Sequence, residues 1–401
     1  MAYDFDTPVD RRGTWCVQWD GIRDLPQVLG PARTGETPPP VPDLLPFTIS
    51  DMDFRCAPEV LDALQRRVAH GVFGYTDWRN DDFRGAVRDW FKSRYDADVD
   101  PASLVYAPSV LSQISQLLRM WTEPGEGVVV HTPTYNGFRK TVTGLGRELR
   151  GVPLDDPGFA ALDAALARAD SRVLILCSPH NPTGRVWSEA ELLRTAELCE
   201  RHGVAVISDE IHADLTHEGH VHRPWTRYGR GRWALVTSAT KSFNFPSLSG
   251  SYGIIGDPAD HAAFVRRMDT GEGLASPAVL SLTAHIAAYR EGAAWLDAVR
   301  TYAHANLRLV AATLNEAFPA LDLRPPQAGY LAWIDLRPVL GESRDEALQH
   351  HLVHRERVAV MPGATYGTPG FVRMNVGCPR EKARAGAEAL VRAVRAVASE
   401  D

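Results

Sequence analysis

Four short apolar runs, each closing on polar side chains, constrain this chain more than any other feature. Val128-Val-Val130 leads into His131-Thr-Pro-Thr-Tyr135, and Val173-Leu-Ile-Leu-Cys177 into Ser178-Pro-His-Asn181-Pro-Thr-Gly184. Val204-Ala-Val-Ile207 leads into Ser208-Asp209-Glu-Ile-His212, and Trp233-Ala-Leu-Val-Thr237 into Ser238-Ala-Thr-Lys241. Continuous β-rich apolar runs read as strands buried on both faces, hence as a parallel sheet covered by helices. In such sheets ligands sit beyond the carboxyl ends of the strands. Tyr135, Asn181, Asp209 and Lys241 all fall at such ends, so one site can take all four.

The rest of the chain bounds the setting. Its 401 residues suffice for a large domain and a smaller one. A net charge of −7 without a basic stripe argues against a nucleic-acid partner. No apolar stretch reaches membrane-spanning length, and the acidic start Met1-Ala-Tyr-Asp-Phe-Asp6 is unlike a signal peptide. Cys16, Cys56, Cys177, Cys199 and Cys378 are odd in number and lack a CxxC pair, which reads as reduced thiols in the cytoplasm. Cys177 and Cys199 stand in apolar contexts and are expected in the core.

From about residue 55 to 290, helical and strand patterns alternate, as in βαβ units. Ser188 and Glu191 form a capping-box signature, with Gly203 as the stop. A long amphipathic helix is expected from Ala293 to about Phe318. Tyr330 to Asp335 and Phe371 to Asn375 read as strands of a smaller lobe, followed by a helix from roughly Glu381 to Ser399. Thr37-Pro-Pro-Pro-Val-Pro42 reads as a stiff connector. The expected organisation is an arm with part of the small domain over 1–54, a large domain over 55–290 and a small domain over 291–401.

The four strand-end groups suit one kind of chemistry. A buried carboxylate, Asp209, can hold a protonated heteroaromatic nitrogen. Asn181 can donate to a ring hydroxyl or a substrate carboxylate, and Tyr135 can stack on a flat ring. A lysine managed by burial, Lys241, can form an imine with an aldehyde. Together they fit pyridoxal 5′-phosphate. Alone, Asp209 reads better as a helix cap and Tyr135 as a packing aromatic; their shared strand-end placement reverses both readings.

The order and spacing of Ser178-Pro-His-Asn-Pro-Thr-Gly184, Asp209-Glu-Ile-His212 and Ser238-Ala-Thr-Lys241 resemble the fold-type I aminotransferase superfamily (class I/II). More narrowly the chain resembles the MalY/PatB branch of cystathionine β-lyase-like C–S lyases. The segments that carry this are Asp10-Arg-Arg-Gly-Thr14, Ile49-Ser-Asp-Met-Asp-Phe54, Phe73-Gly-Tyr-Thr76, Thr283-Ala-His-Ile-Ala-Ala-Tyr289 and Met361-Pro-Gly-Ala-Thr-Tyr-Gly367. The resemblance implies an α/β fold: a large domain with a mainly parallel sheet flanked by helices, plus a smaller α+β domain. It implies that Lys241 carries the cofactor and takes the substrate α-proton. It places Asp209 on the pyridine nitrogen, Asn181 and His212 near the ring hydroxyl, and Tyr135 on the ring face. Ser109, Val110, Leu111 and Ser238 would hold the phosphate. Arg373 would clamp the substrate carboxylate, with Asn181 beside it, and Tyr75 would reach the phosphate or substrate from the second subunit of a homodimer. Where many relatives carry a phosphate-binding arginine, this chain has Ser249.

The implied activity is β-elimination of a thiol from a cysteine S-conjugate, giving pyruvate and ammonia. Rivals are transamination or decarboxylation-linked deamination, and a regulatory protein-binding role on the same scaffold. His212, His217, His220 and His222 match no zinc spacing, so no metal is expected, and all but His212 are expected in an exposed polar loop.

Overall fold

In the computed structural model, which describes residues 3–29 and 44–399, each of the four apolar runs forms a strand. In chain order the strands are β1 (Leu45–Phe47), β2 (Leu104–Ala107), β3 (Gly127–Thr132), β4 (Glu148–Pro153), β5 (Ser171–Cys177), β6 (Ala205–Asp209), β7 (Trp233–Thr237), β8 (Ser251–Ile255), β9 (Leu331–Asp335), β10 (Val358–Pro362) and β11 (Phe371–Asn375). The helices that matter below are α1 (Val110–Trp121), α2 (Asn136–Gly144), α3 (Glu189–His202), α4 (Val279–Glu291), α5 (Ala293–Ala317) and α6 (Arg380–Ala398). The proline-rich connector at 37–42 lies outside the described residues.

The chain divides into two units. The larger holds Cys56–Asn181 and Arg185–Asp297; the smaller holds Met1–Arg55, Pro182–Gly184 and Ala298–Asp401, as far as these are described. The larger unit is built on a sheet of order β2-β8-β7-β6-β5-β3-β4. Strands β7, β6, β5, β3 and β4 run parallel, and β8 runs antiparallel between β7 and β2. Val128 and Val130 of β3, Val173 and Ile175 of β5, Ala205 and Ile207 of β6, and Ala234 and Val236 of β7 share one core. Against them pack Val110, Ile114, Leu117, Leu118 and Trp121 of α1. Each such fully buried aliphatic side chain contributes roughly 1.5–3 kcal/mol over exposure.

Successive side chains of a strand point to opposite faces. Asp209 therefore follows Ala205 and Ile207 onto the α1 face, while Ser208 and Glu210 turn to the other. This alternation decides which polar groups can meet at the sheet edge.

Helix α3 begins as its sequence predicts. The Ser188 hydroxyl accepts from the Glu191 N–H at 3.3 Å, and the Glu191 carboxylate accepts from the Ser188 N–H at 2.7 Å. Gly203, at φ 66°, closes the helix in the left-handed region that costs glycine nothing.

The smaller unit has a sheet of order β1-β10-β11-β9, with β1 parallel to β10 and the other pairs antiparallel. Phe47, Ile334, Val360, Val372 and Met374 pack with Leu307, Val310 and Leu314 of α5 and with Ala387, Leu390 and Val394 of α6. Two segments that carry the family resemblance bind each other here. Arg11 donates to Asp53 at 2.9 Å and also pairs with Asp51, and Lys382 of α6 completes the cluster on Asp53.

Candidate active site

Strands β5, β6 and β7 bring their carboxyl ends level. Cys177 pairs in register with Asp209, and Asp209 with Val236. The Ser178 N–H donates to the Asp209 carbonyl and the Glu210 N–H to the Val236 carbonyl, each at 2.9 Å. The loops carrying Asn181 and Lys241 thus leave the sheet beside Asp209. The Asn181 N–H donates back to the Cys177 sulfur at 3.4 Å, and Asn181 is buried.

Asp209 is 4% exposed. Its Oδ1 accepts from the Ile211 N–H at 3.1 Å. Burial pushes the carboxyl up to about 7; the Glu210 charge adds to the rise, while the Ile211 N–H and the Lys241 ammonium oppose it. A carboxyl near 7 exchanges its proton readily with a pyridine-like nitrogen. Lys241 is half-buried in the turn that follows β7.

The same face of the sheet carries the start of α1. Ser109 caps it: its hydroxyl accepts from the Ser112 N–H at 3.1 Å. The N–H groups of Ser109, Val110 and Leu111 lie in the first turn, where a helix has no internal acceptors and favours an anion. Leu111 and Tyr135 both pack against the α1-side core. Between them sits Gly137, in the first turn of α2. A Cβ at Gly137 would stand 2.4 Å from Tyr135 Cε1 and 3.1 Å from Leu111 Cδ1. The absence of a side chain at 137 is what lets the Tyr135 ring lie beside the α1 terminus, and the sequence reading missed it.

Ser238 is placed differently from an open phosphate ligand. Its buried hydroxyl accepts from the Thr240 N–H at 3.1 Å, and its one hydrogen lies between two acceptors, the Gly250 carbonyl at 2.7 Å and Nε2 of His285 on α4 at 3.1 Å. Burial holds His285 down to about 4, so the ring is neutral near pH 7. Its Nδ1 faces the Ser281 carbonyl at 2.8 Å, which fixes the hydrogen on Nδ1. Ser238 thus ties the lysine turn to α4, a role the Thr283-Ala-His-Ile segment carries with it. Ser249 is exposed and adopts φ 47°.

The histidine expectation needs correction. His212 is buried as expected, but so are His217 and His222; only His220 of the other three is exposed. For His222 the reason is Glu210, whose buried carboxylate needs donors. It accepts from His222 Nε2, from the Ser208 hydroxyl and from the Trp225 N–H, each at 2.8 Å. The loop folds inward to satisfy that charge. No group of three or more metal-ligating side chains occurs among the described residues.

Tyr75 and Arg373 belong to other elements. Tyr75 is fully exposed on the larger unit, next to Thr76, whose N–H donates to the Ser276 hydroxyl and whose hydroxyl donates to the Pro277 carbonyl. Arg373 lies in β11 of the smaller unit and is 3% exposed. It donates to the Thr48 carbonyl at 2.8 Å, and its guanidinium sits 4.7 Å from the Tyr366 ring centre. It is an inward-facing arginine, as its apolar flanks predict.

A buried acid, a nearby amine, an aromatic face and an open helix terminus form a donor set that fits a flat, phosphorylated pyridine aldehyde. Comparison with known proteins agrees. The family model for aminotransferase class I and II matches residues 42–390. Protein MalY of Escherichia coli is 48% identical over 98% of this chain and 100% of its own length. Cystathionine beta-lyase PatB of Bacillus subtilis is 37% identical over 93% of this chain and 95% of its own. The structure of the PLP-bound C–S lyase from Staphylococcus hominis superposes with a TM-score of 0.90 at 25% identity, covering 98% of each chain.

Proposed function

The chain belongs to the aminotransferase class I and II family, and we propose that within it the protein is a pyridoxal-phosphate-dependent C–S β-lyase acting on cystathionine-like cysteine S-conjugates. The observation that carries the reading is Asp209: a buried carboxyl at a strand end, lifted to about 7 and within the field of Lys241.

Pyridoxal phosphate, when bound, supplies an electron sink conjugated to the substrate α-carbon. The residues do the rest. Asp209 shares a proton with the ring nitrogen and so keeps the sink strong. Tyr135 covers one ring face, and Asn181 and His212 serve the ring hydroxyl. The N–H groups of Ser109, Val110 and Leu111 take the phosphate, with Ser238 bracing the turn beneath it. Arg373 takes the substrate carboxylate through a bidentate fork. Lys241 Nζ removes the α-proton as general base. The Cβ–S bond then breaks, the thiolate departs, and hydrolysis yields pyruvate and ammonia.

We take 55–290 as the cofactor domain, 1–54 as an arm with part of the small domain and 291–401 as the rest of it, close to the division into Cys56–Asn181 with Arg185–Asp297 and the remainder. Val72, Phe73 and Tyr75 are exposed apolar side chains close in sequence, which supports a homodimer with Tyr75 donated across its interface. No helix among the described residues is long and apolar enough to cross a membrane. The five cysteines are free, and all but Cys56 are buried, which supports a cytoplasmic setting.

The test is release of pyruvate and free thiol from cystathionine without any keto-acid acceptor. Strict dependence on an acceptor would instead establish transamination. Lys241→Ala should abolish borohydride-stable attachment of the cofactor; attachment that survives the change would move the role to another lysine.

A further inference from the structure

A second cavity lies in the larger unit, away from the groups just described. It has a volume of about 290 Å³ and is lined by His131, Asp155, Phe159, Arg185 and Trp187, among others. His131, next to last in β3, lies on the face opposite Val128 and Val130, and so opposite the α1 side that carries Asp209, Leu111 and Tyr135.

Its polar groups are unevenly satisfied. His131 is 5% exposed, yet its Nδ1 has no hydrogen-bond partner among the described residues. An unpaired buried polar atom is costly, so the cavity has a standing demand for a donor or acceptor. Burial holds the His131 ring down to about 4, so it carries no charge near neutrality. Arg185 is already committed. It donates to the Leu154 carbonyl at 2.6 Å, pairs with Glu191, and lies 4.7 Å over the Trp187 ring. Asp156 is held by the Leu162 N–H at 3.0 Å. Asp155 is exposed and carries no partner among the described residues. Three carboxylates (Asp155, Asp156, Glu191) thus face one guanidinium, leaving the rim negative.

The walls are apolar. Trp187 stands 4.8 Å from the His131 ring, and Phe159, Leu162 and Pro153 are among the other lining residues. Ligand pockets begin near about 300 Å³, so this cavity suits one ring with a small head group.

We propose that this cavity is a second ligand site, for a small organic cation that joins a positive head to a flat ring bearing one hydroxyl. The head meets Asp155 and Asp156, the ring packs on Trp187 and Phe159, and His131 supplies the hydrogen bond inside. Trp187 connects the site to the sheet, because its indole N–H donates to the Cys177 carbonyl at 2.9 Å and Cys177 is the register partner of Asp209.

The test uses the cofactor-loaded protein with isotope-labelled tryptophan and the probe (3-hydroxybenzyl)trimethylammonium, whose hydroxyl can meet His131. Its quaternary nitrogen forms no imine, so reaction at Lys241 cannot mimic binding. The Trp187 indole N–H resonance, identified by its loss in Trp187→Phe, should shift saturably with the cation and stay in place with benzenesulfonate. Asp155→Asn should weaken the cation roughly two- to fivefold, the range of an exposed charge pair. His131→Phe, which removes the ring nitrogen that the hydroxyl meets, should weaken the cation roughly two- to tenfold, the range of one neutral hydrogen bond. No saturable shift with the cation, an equal shift with the sulfonate, or unchanged affinity in Asp155→Asn would overturn the proposal. Asp155 is exposed and unpartnered among the described residues, so Asp155→Asn decides the matter even where His131→Phe fails to fold.

Discussion

Asp209 and Glu210 are neighbours in sequence and nearly equal in burial, yet their surroundings are opposite. Glu210, on the face away from α1, accepts a hydroxyl, a backbone N–H and an imidazole N–H, each at 2.8 Å. Asp209, on the α1 face, has the Ile211 N–H at 3.1 Å and rises to about 7. A buried carboxylate that receives its donors builds structure. One left short of them is held ready for a partner that the chain does not itself supply. The single-residue step along β6 separates the two roles, because it moves the side chain through the sheet.

That contrast is open to attack first through pH. In the cofactor-free protein Asp209 titrates near 7 when folded and near 3.8 when unfolded. Its ionised form is disfavoured only in the fold, so its cost is absent below about pH 4, grows as pH rises, and is complete above about pH 7. Asp209→Asn should therefore be the more stable protein above pH 7, by on the order of 4 kcal/mol. The gap should close as the pH falls toward 4. Urea unfolding of both proteins across this range measures it, and a gap independent of pH would refute the reading of Asp209. Comparison with the variant is essential because the histidines act oppositely. His131, His180 and His285 are held down to about 4, 3 and 4, so each destabilises the fold as pH drops below 6.5.

Glu210→Ala should behave in the reverse manner. It strands His222 Nε2, the Ser208 hydroxyl and the Trp225 N–H, and should cost about 3 kcal/mol or more in stability. The loss should appear with and without cofactor alike. A variant that kept its stability but lost cofactor would move Glu210 from the structural role to the functional one.

Activity should divide the pair once more. Asp209→Asn should lower kcat/KM about a hundredfold, in the range for removing one group that stabilises developing charge. The isosteric Glu210→Gln should stay within about tenfold of the unchanged protein, measured by pyruvate release at a temperature where both are folded. Equal losses would mean that the two carboxylates act as one unit.

Much of this is legible in the residues. The four apolar runs mark the parallel core because strands buried on both faces carry no alternation to hide them. Ser188, Glu191 and Gly203 mark the ends of α3, because capping is local chemistry. Strands β2, β4 and β8 are not legible in the same way, because edge or antiparallel position is decided by pairing across long stretches of chain. The inward fold of His222 escapes for a related reason. A histidine-rich loop looks solvated until the buried charge it serves is known, and in the sequence Glu210 stands in the shadow of Asp209. Arg373 is legible through its apolar flanks, whereas the packed hydroxyl of Ser238 depends on α4, remote in sequence.

Gly137 separates the face of the site from its edge. Asp209 addresses one atom of a bound ring, whereas Tyr135 addresses the whole plane, and Gly137 alone makes room for it. In the first turn of α2, alanine should help the helix by up to about 1 kcal/mol over glycine. Its Cβ, however, would stand 2.4 Å from Tyr135 Cε1 and 2.8 Å from Cζ, so the ring must move. Gly137→Ala should thus leave the cofactor-free protein as stable as before or slightly more so, while weakening the cofactor about tenfold. That is the scale of a displaced aromatic contact, about 1.4 kcal/mol. Thermal unfolding without cofactor and equilibrium dialysis with it measure the two effects separately. If both fell together, Gly137 would be a packing residue like any other in the core. If stability held while affinity dropped, the position of the Tyr135 ring, and not the soundness of α2, would be what the missing side chain serves.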